Sequence, residues 1–499
     1  MLRNIRTVMA ALLLVAITFF FLDFTGTLHH WLSWTTKIQV WEAILALNVV
    51  VIVGLALLTL VFGRIYCSVI CPLGVFQDLL ARLHRKKNKY SYSPEVRWLR
   101  YPVFVLFVVA AIAGVGTLME LLAPYSAYGR MATMLFQPLW KLGNNVLAFF
   151  AERADSYAFY TVDVWMKSLP VFLIALATLL LVAVLSWRGG RTYCNTVCPV
   201  GTLLSLLSRF SLLRIHFDAE KCRNCSLCSK NCKASCIDYK THSVDHSRCV
   251  VCGNCISSCK FGALHYTPHR RHTSQQPQPA QRSQPSQFSP DTSRRSFLLA
   301  SAMVTTAALA QKKDKIMDGG LAEIAQKVAP QRQTPLVPPG SLSAENMAKH
   351  CTGCQLCVSE CPNDVLRPSG DLLHLMQPVM SYERGYCRPE CTRCSEVCPA
   401  GAIKSFDKPE KSSIQIGHAV WIKKNCIPLT DGVECGNCAR HCPAGAIEMV
   451  PSDADDDESP MVPVVNDAAC IGCGACEYVC PARPFSAIVV EGHEVHRHI

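Results

Sequence analysis

The chain holds 29 cysteines in 499 residues, and 24 of them fall into six groups of four. Two groups lie mid-chain: Cys222, Cys225, Cys228 and Cys232, then Cys249, Cys252, Cys255 and Cys259. Four lie nearer the C-terminus: Cys351, Cys354, Cys357 and Cys361; Cys387, Cys391, Cys394 and Cys398; Cys426, Cys435, Cys438 and Cys442; Cys470, Cys473, Cys476 and Cys480. Thiolates are soft ligands, and short spacings of this kind wrap backbone around a cubane. Zinc ribbons use Cys-x2-Cys pairs as well, but do not need three even spacings plus a fourth cysteine. The groups therefore read as ligands of six [4Fe-4S] clusters. In a two-cluster ferredoxin three cysteines of a run hold one cluster and the fourth crosses to the other. The mid-chain groups make one such pair. The sixteen C-terminal cysteines suit two further pairs, with the partnership among groups left open by spacing. Each C-terminal group ends in Cys-Pro, whereas the mid-chain groups end in Cys232-Lys233 and Cys259-Lys260.

Four more cysteines belong to a repeated element. GRIYCSVICPLG starts at Gly63 and GRTYCNTVCPVG at Gly190. A Cys-x3-Cys pair puts both sulphurs on one helical face, and the prolines that follow, Pro72 and Pro199, end or kink that helix. Cys67, Cys71, Cys194 and Cys198 together supply the four thiolates of a metal or cluster site. Redox-active thiols are the other reading. Cys236 remains over, as a spare thiol or an alternative ligand.

Both copies of the element follow long apolar runs, which must position them. The runs are 6–24, 42–62, 102–123 and 169–187. Each approaches the length of about 20 residues that crosses a bilayer. Arg3 and Arg6, the basic residues between 63 and 101, and Arg188 and Arg191 place those segments on the cytoplasmic side; residues 25–41 and 124–168 then lie outside. Within the second outer segment, MATMLFQPLWKLGNNVLAFF at 131–150 reads as an interfacial helix or as a packed loop helix. The expected fold class is an α-helical membrane bundle with appended ferredoxin-like α+β [4Fe-4S] domains. The expected domains are a four-helix transmembrane part at 1–215 and a cytoplasmic two-cluster part at 216–266.

Residues 267–293 are a disordered Gln-, Pro- and Ser-rich linker in which His269 and His272 read as solvated rather than ligating. SRRSFLLASAMVTTAALAQ follows, with Arg294 and Arg295 before a short apolar run and an Ala308-Leu309-Ala310 processing-like site. It resembles a twin-arginine export signal or a fifth anchor at 294–310. Residues 311–499 would then be exported as a four-cluster domain. The acidic stretch 453–459 reads as a solvated loop, and His493, His496 and His498 carry no assigned role.

The net charge of +12 averages unlike regions. No basic groove or base-stacking pattern accompanies it, so no nucleic acid partner is expected. No catalytic triad, phosphate loop or dinucleotide fingerprint is present, so substrate reduction needs a partner. On YCSVICPLG, YCNTVCPVG and the paired groups at Cys222–Cys232 and Cys249–Cys259, residues 1–270 resemble the polytopic iron–sulphur subunit of periplasmic nitrate-reductase systems. On SRRSFLL and the four C-terminal groups, residues 290–499 resemble the exported four-cluster subunit of the same systems. The fusion of the two, Cys236 and the Cys-Lys pairs depart from those families. Similar membrane modules occur in proteins of nitrous-oxide respiration and cytochrome oxidase assembly. The resemblance implies a multi-pass protein of the bacterial inner membrane with cluster domains on both sides. It implies a quinol dehydrogenase component that uses an exchangeable quinol, menaquinol, within membrane lipid and passes electrons to a periplasmic reductase or cytochrome. An assembly or metal-reduction factor, and a non-catalytic electron bridge, are the alternatives.

Overall fold

The computed structural model describes residues 2–83, 90–268 and 325–499. The twin-arginine stretch and nearly all of the linker lie outside the described residues. Two of the four apolar runs form unbroken helices, Leu2–Leu22 and Leu169–Gly189, of 21 residues each. The helical rise makes each about 31 Å long. Only 33% and 22% of their most apolar stretches are buried in the protein, so both helices keep a largely exposed apolar surface.

Each of the other two runs is divided into two helices. Run 42–62 splits into Val40–Leu45 and Val49–Phe62. Leu47 adopts a φ of 50°. The Asn48 side chain caps the second helix by accepting from Val51 N at 3.3 Å, the usual role of asparagine at a helix start. Run 102–123 splits into Arg97–Ala113 and Gly116–Leu122 at Gly114, a left-handed C-cap. The stretch 131–150 is helical, through a π-turn at Ala132–Phe136 into Gln137–Arg153. Its first residues are buried, whereas Leu139, Leu142, Val146 and Phe150 are exposed.

Short antiparallel ladders carry the cluster segments. Leu213–Phe217 pairs with Leu264–Pro268, so the mid-chain unit begins earlier than residue 216 and its last strand takes the first residues expected of the linker. Further on, Leu366–Pro368 pairs with Pro378–Met380, and Ile447–Asp453 with Asp456–Val465, placing the acidic stretch at a hairpin. Ile414–Trp421 pairs with the C-terminal strand Ile488–His498, which contains all three tail histidines.

The two cluster segments meet opposite ends of both long helices. Arg3 donates to Ser257 Oγ at 3.1 Å, and the Arg191 amide, just past Gly189, donates to Lys233 O at 2.9 Å. At the other ends Arg393 donates to Thr25 O at 3.0 Å, and Pro170 packs against Gly370. Gln137 bridges Phe21 O and Ser359 O, both at 3.3 Å.

Candidate cluster sites

The repeated element folds as two halves that brace each other. Tyr66–Val69 and Thr192–Thr196 are single turns, and new helices start at Pro72 and Pro199. Proline has no amide to bond backward and turns its predecessor away from α geometry. The two cysteines of each half are therefore split across a break rather than set on one helical face, which corrects the sequence expectation. Gly74 and Gly201 lie so close to Cys67 O and Cys194 O that no Cβ fits. Arg64 of the first half reaches Cys194 O at 3.2 Å, Asn195 Oδ1 at 3.0 Å and Cys67 Sγ at 3.8 Å. Arg191 of the second half reaches Cys67 O. The Gln77 amide points at Cys194 Sγ, 3.4 Å away, and Gly201 N at Cys198 Sγ, 3.3 Å away. Cys71, Cys194 and Cys198 are buried within electrostatic reach of one another and of Cys67.

Asp78 anchors this element to the mid-chain cluster unit. It is buried and faces Arg191 at 2.9 Å, Lys233 at 3.1 Å and Arg6 at 3.3 Å. Burial alone would raise its carboxyl; the three cations reverse that and hold it well below the usual carboxylate range. The arrangement carries an excess of positive charge beside the thiols of both sites, which offsets the net charge of about −2 on a cubane with four thiolates.

The six sequence groups converge as crossed sets. One cavity is lined by Cys222, Cys225, Cys228 and Cys259, with Phe217, Phe261 and Leu264 around them. Cys232 crosses the other way, within reach of Cys249, Cys252 and Cys255. Cys351, Cys354, Cys357 and Cys398 line a third cavity. Cys361 crosses to Cys387, Cys391 and Cys394. Cys426, Cys435, Cys438 and Cys480 line a fourth, and Cys442, Cys470, Cys473 and Cys476 a fifth. The C-terminal groups thus pair first with second and third with fourth, a choice that spacing left open. Cys236 is buried with its sulphur 3.5 Å from Cys232 Sγ and bonds toward Cys249.

These cradles fit a cubane better than a single ion. Among the described residues no three His, Cys, Asp or Glu side chains converge closely enough to share one metal ion. Backbone amides instead point at cysteine sulphurs: Ala263 at Cys259, Gly353 at Cys351 and Ala446 at Cys442, each at 3.3 Å, and Ala487 at Cys480 at 3.2 Å. Such bonds stabilise a ligating thiolate. Without a ligand, burial pushes Cys387 and Cys438 up to about 11 and Cys473 up to about 12. These groups therefore stay protonated until metal takes the proton's place. A bound cluster supplies one-electron redox chemistry.

The sites also follow an order. Arg64 donates to Ser247 O at 3.0 Å, so the chain leading into the Cys249 set adjoins the repeated element. On the other side Tyr66 lies within electrostatic reach of Cys71, Tyr125 within that of Cys354 and Cys398, and buried Glu42 within that of both tyrosines. Cys387 N donates to Cys473 O at 2.9 Å, joining the two C-terminal pairs. Asp78, Gln77, Glu42 and the crossed arginines were not singled out from sequence. The repeated Gly-Arg before each Tyr-Cys was the signal available for the arginines.

A family profile described as "4Fe-4S binding domain" matches residues 44–90 and 169–218, one match for each copy of the repeated element. Profiles described as "4Fe-4S dicluster domain" match residues 433–483 and 245–365. The second of these runs from one cluster unit into the next, whereas the cavities cross within units. The ferredoxin-type protein NapG of Escherichia coli is 32% identical over 181 residues, 32% of this chain and 75% of that protein. The methylamine utilization ferredoxin-type protein MauM of Paracoccus denitrificans is 31% identical over 165 residues, 32% of this chain and 73% of that protein. The ferredoxin-type protein NapH of Haemophilus influenzae is 27% identical over 186 residues, 36% of this chain and 53% of that protein, so this chain spans about half of it. With its crossed cysteine cradles and its long apolar helices, the chain belongs to the NapG- and MauM-type family of ferredoxin-type proteins, as a membrane-associated, iron–sulphur electron-transfer protein.

Proposed function

We propose that this chain oxidises a membrane quinol, menaquinol, and delivers the electrons to a periplasmic reductase or cytochrome. The observation that carries this reading is the order of the cysteine sites along the molecule. From the Cys222 set it runs through the Cys249 set and the repeated element to the Cys351, Cys387, Cys470 and Cys426 sets. Electron transfer needs closely spaced centres, and this series has a contact or a shared environment at every junction. Each quinol gives up two electrons and two protons; the electrons leave singly and the protons pass to water.

The same reading makes the chain a fusion of a polytopic subunit and an exported subunit in the bacterial inner membrane. The contacts at opposite helix ends support cluster units on opposite sides. The clustering of positive charge near Arg3, Arg6 and Arg191 supports the same orientation. Export of residues 311–499 would follow the signal at Arg294 and Arg295. Six [4Fe-4S] clusters occupy the six sets. Cys67, Cys71, Cys194 and Cys198 hold a seventh redox site, a reading supported by the profile match to both copies.

The test uses purified full-length chain in lipid nanodiscs. Iron and acid-labile sulphide are counted first, and about 24 iron atoms are expected from the six sets. Reduced menaquinol analogue is then added and cluster absorbance followed. Rapid bleaching that a quinone-site inhibitor blocks supports the proposal. Full cluster content without bleaching, alone and with the co-purifying partner, rejects it in favour of an assembly factor or passive bridge.

A further inference from the structure

We propose that a cleft between the first helix and the mid-chain cluster unit binds the headgroup of an anionic phospholipid. The cleft has a volume of about 640 Å³, within the range of about 300–1,000 Å³ typical of ligand sites. Three cations line it: Arg3 near the start of Leu2–Leu22, Arg82 near the end of Pro72–Leu83, and Lys233 after the cluster ligand Cys232. Among the described lining residues there is no carboxylate and no histidine. Asn231, Asn254 and Ser258 add neutral donors from the cluster unit. Behind the floor, Asp78 is already shared among Lys233, Arg6 and Arg191, so the surroundings keep a positive excess.

The mouth of the cleft says what kind of anion. Val8 lines it and is 58% exposed; Leu12 and Val15, one and two turns further on the same face, are 60% and 50% exposed. Leu79 and Leu83 are exposed on the neighbouring helix. An amphiphile meets both surfaces at once, its phosphodiester among the cations and its acyl chains along the apolar stripe. Basic pockets at the cytoplasmic ends of membrane helices hold anionic lipids in this way. A quinol headgroup is neutral and needs a proton acceptor to be oxidised, and the described lining offers none. The bound lipid would join the membrane bundle to the cluster unit, because both supply the walls. This inference rests on membrane association and not on the identity of the electron donor.

The test reads lipid retention by native mass spectrometry on full-length protein taken from nanodiscs of phosphatidylcholine with added phosphatidylglycerol. Wild type should retain one phosphatidylglycerol through delipidation. The R3Q/R82Q double variant should bind it at least about tenfold more weakly, as expected for the loss of charge-assisted bonds. Val8→Glu, which sets a carboxylate at the mouth and leaves every cation in place, should weaken it independently while cluster absorbance stays unchanged. Equal retention of phosphatidylcholine, or unaltered binding in both variants, would overturn the proposal. Displacement by millimolar inorganic phosphate would assign the cleft to a free anion, and displacement by a menaquinone analogue would assign it to quinone; either result would overturn the lipid assignment.

Discussion

The two cluster segments are attached to the helices by different means. The mid-chain unit docks through buried charge: Lys233 shares Asp78 with Arg191 and Arg6, and Arg64 holds Ser247 O. The C-terminal segment docks through separate pairwise contacts: Gln377 to buried Glu120 at 3.1 Å, Lys167 to Val358 O at 2.6 Å, and the exposed pair of Arg384 and Asp163 at 2.6 Å. A buried network in which one carboxylate serves three cations is intolerant of losing a member, whereas separate pairwise contacts, Lys167 with Asp364 at 4.0 Å among them, give way one at a time. The Cys-Lys sequence after the first mid-chain group belongs to this difference. Each C-terminal group places proline there, while Lys233 uses its side chain to hold the unit against the repeated element.

Asp78→Ala should have the largest effect. It leaves three buried cations facing one another, a loss of about 3–5 kcal/mol. Thermal unfolding and protease sensitivity of the mid-chain unit would show it, and full retention of stability would remove Asp78 as the anchor.

Next is a pH effect confined to the C-terminal segment. His496 is buried with neither ring nitrogen partnered, and burial, then the neighbouring His493 and His498, lowers it from 6.5 to about 4. The unfolded chain takes up this proton first, so the stabilisation is complete above about pH 6.5 and is lost as pH falls through 6.5 toward 4. The shift is worth up to about 3 kcal/mol. Across that window the melting temperature of wild type should fall relative to that of His496→Phe; parallel profiles would refute the assignment.

Lys233→Pro, which gives the mid-chain group the Cys-Pro ending, should cost about 1–3 kcal/mol. Asp78 keeps two cations and Arg191 N keeps its carbonyl, so the loss is smaller than that of Asp78 itself. Hydrogen exchange on the mid-chain unit would register looser docking. Arg384→Ala at the exposed pair should change stability by less than about 0.5 kcal/mol, and a larger melting shift would mean the C-terminal attachment depends on charge after all.

The convergence of cysteines within each group was legible in advance because short local spacing brings sulphurs together. Cys222, Cys225 and Cys228 reach one cavity from a short stretch of chain. The crossings were legible only as a rule, since which fourth cysteine returns to which cavity depends on how the ladders fold back. Hydropathy found the apolar runs but not their breaks. A single Asn48 cap and a single Gly114 turn divide two of them, and neither alters the average over a window long enough to detect a span. The buried network was hidden because its members, Arg6, Asp78, Arg191 and Lys233, are scattered along the chain with no spacing that links them. Cys236 had no spacing rule to belong to, yet it packs against Cys232 because the chain turns back at that point.

The proposed function requires one continuous path for electrons from end to end of the long helices. Its most direct test places full-length protein in sealed vesicles, with an impermeant reductant outside and an electron-accepting cytochrome trapped inside. The trapped cytochrome should be reduced only in vesicles containing the protein, and Cys71→Ser or Cys198→Ser should slow that reduction at least about tenfold while leaving the spectra of the other clusters intact. A fully loaded protein, present in both orientations, that leaves the trapped cytochrome oxidised would rule out a continuous path.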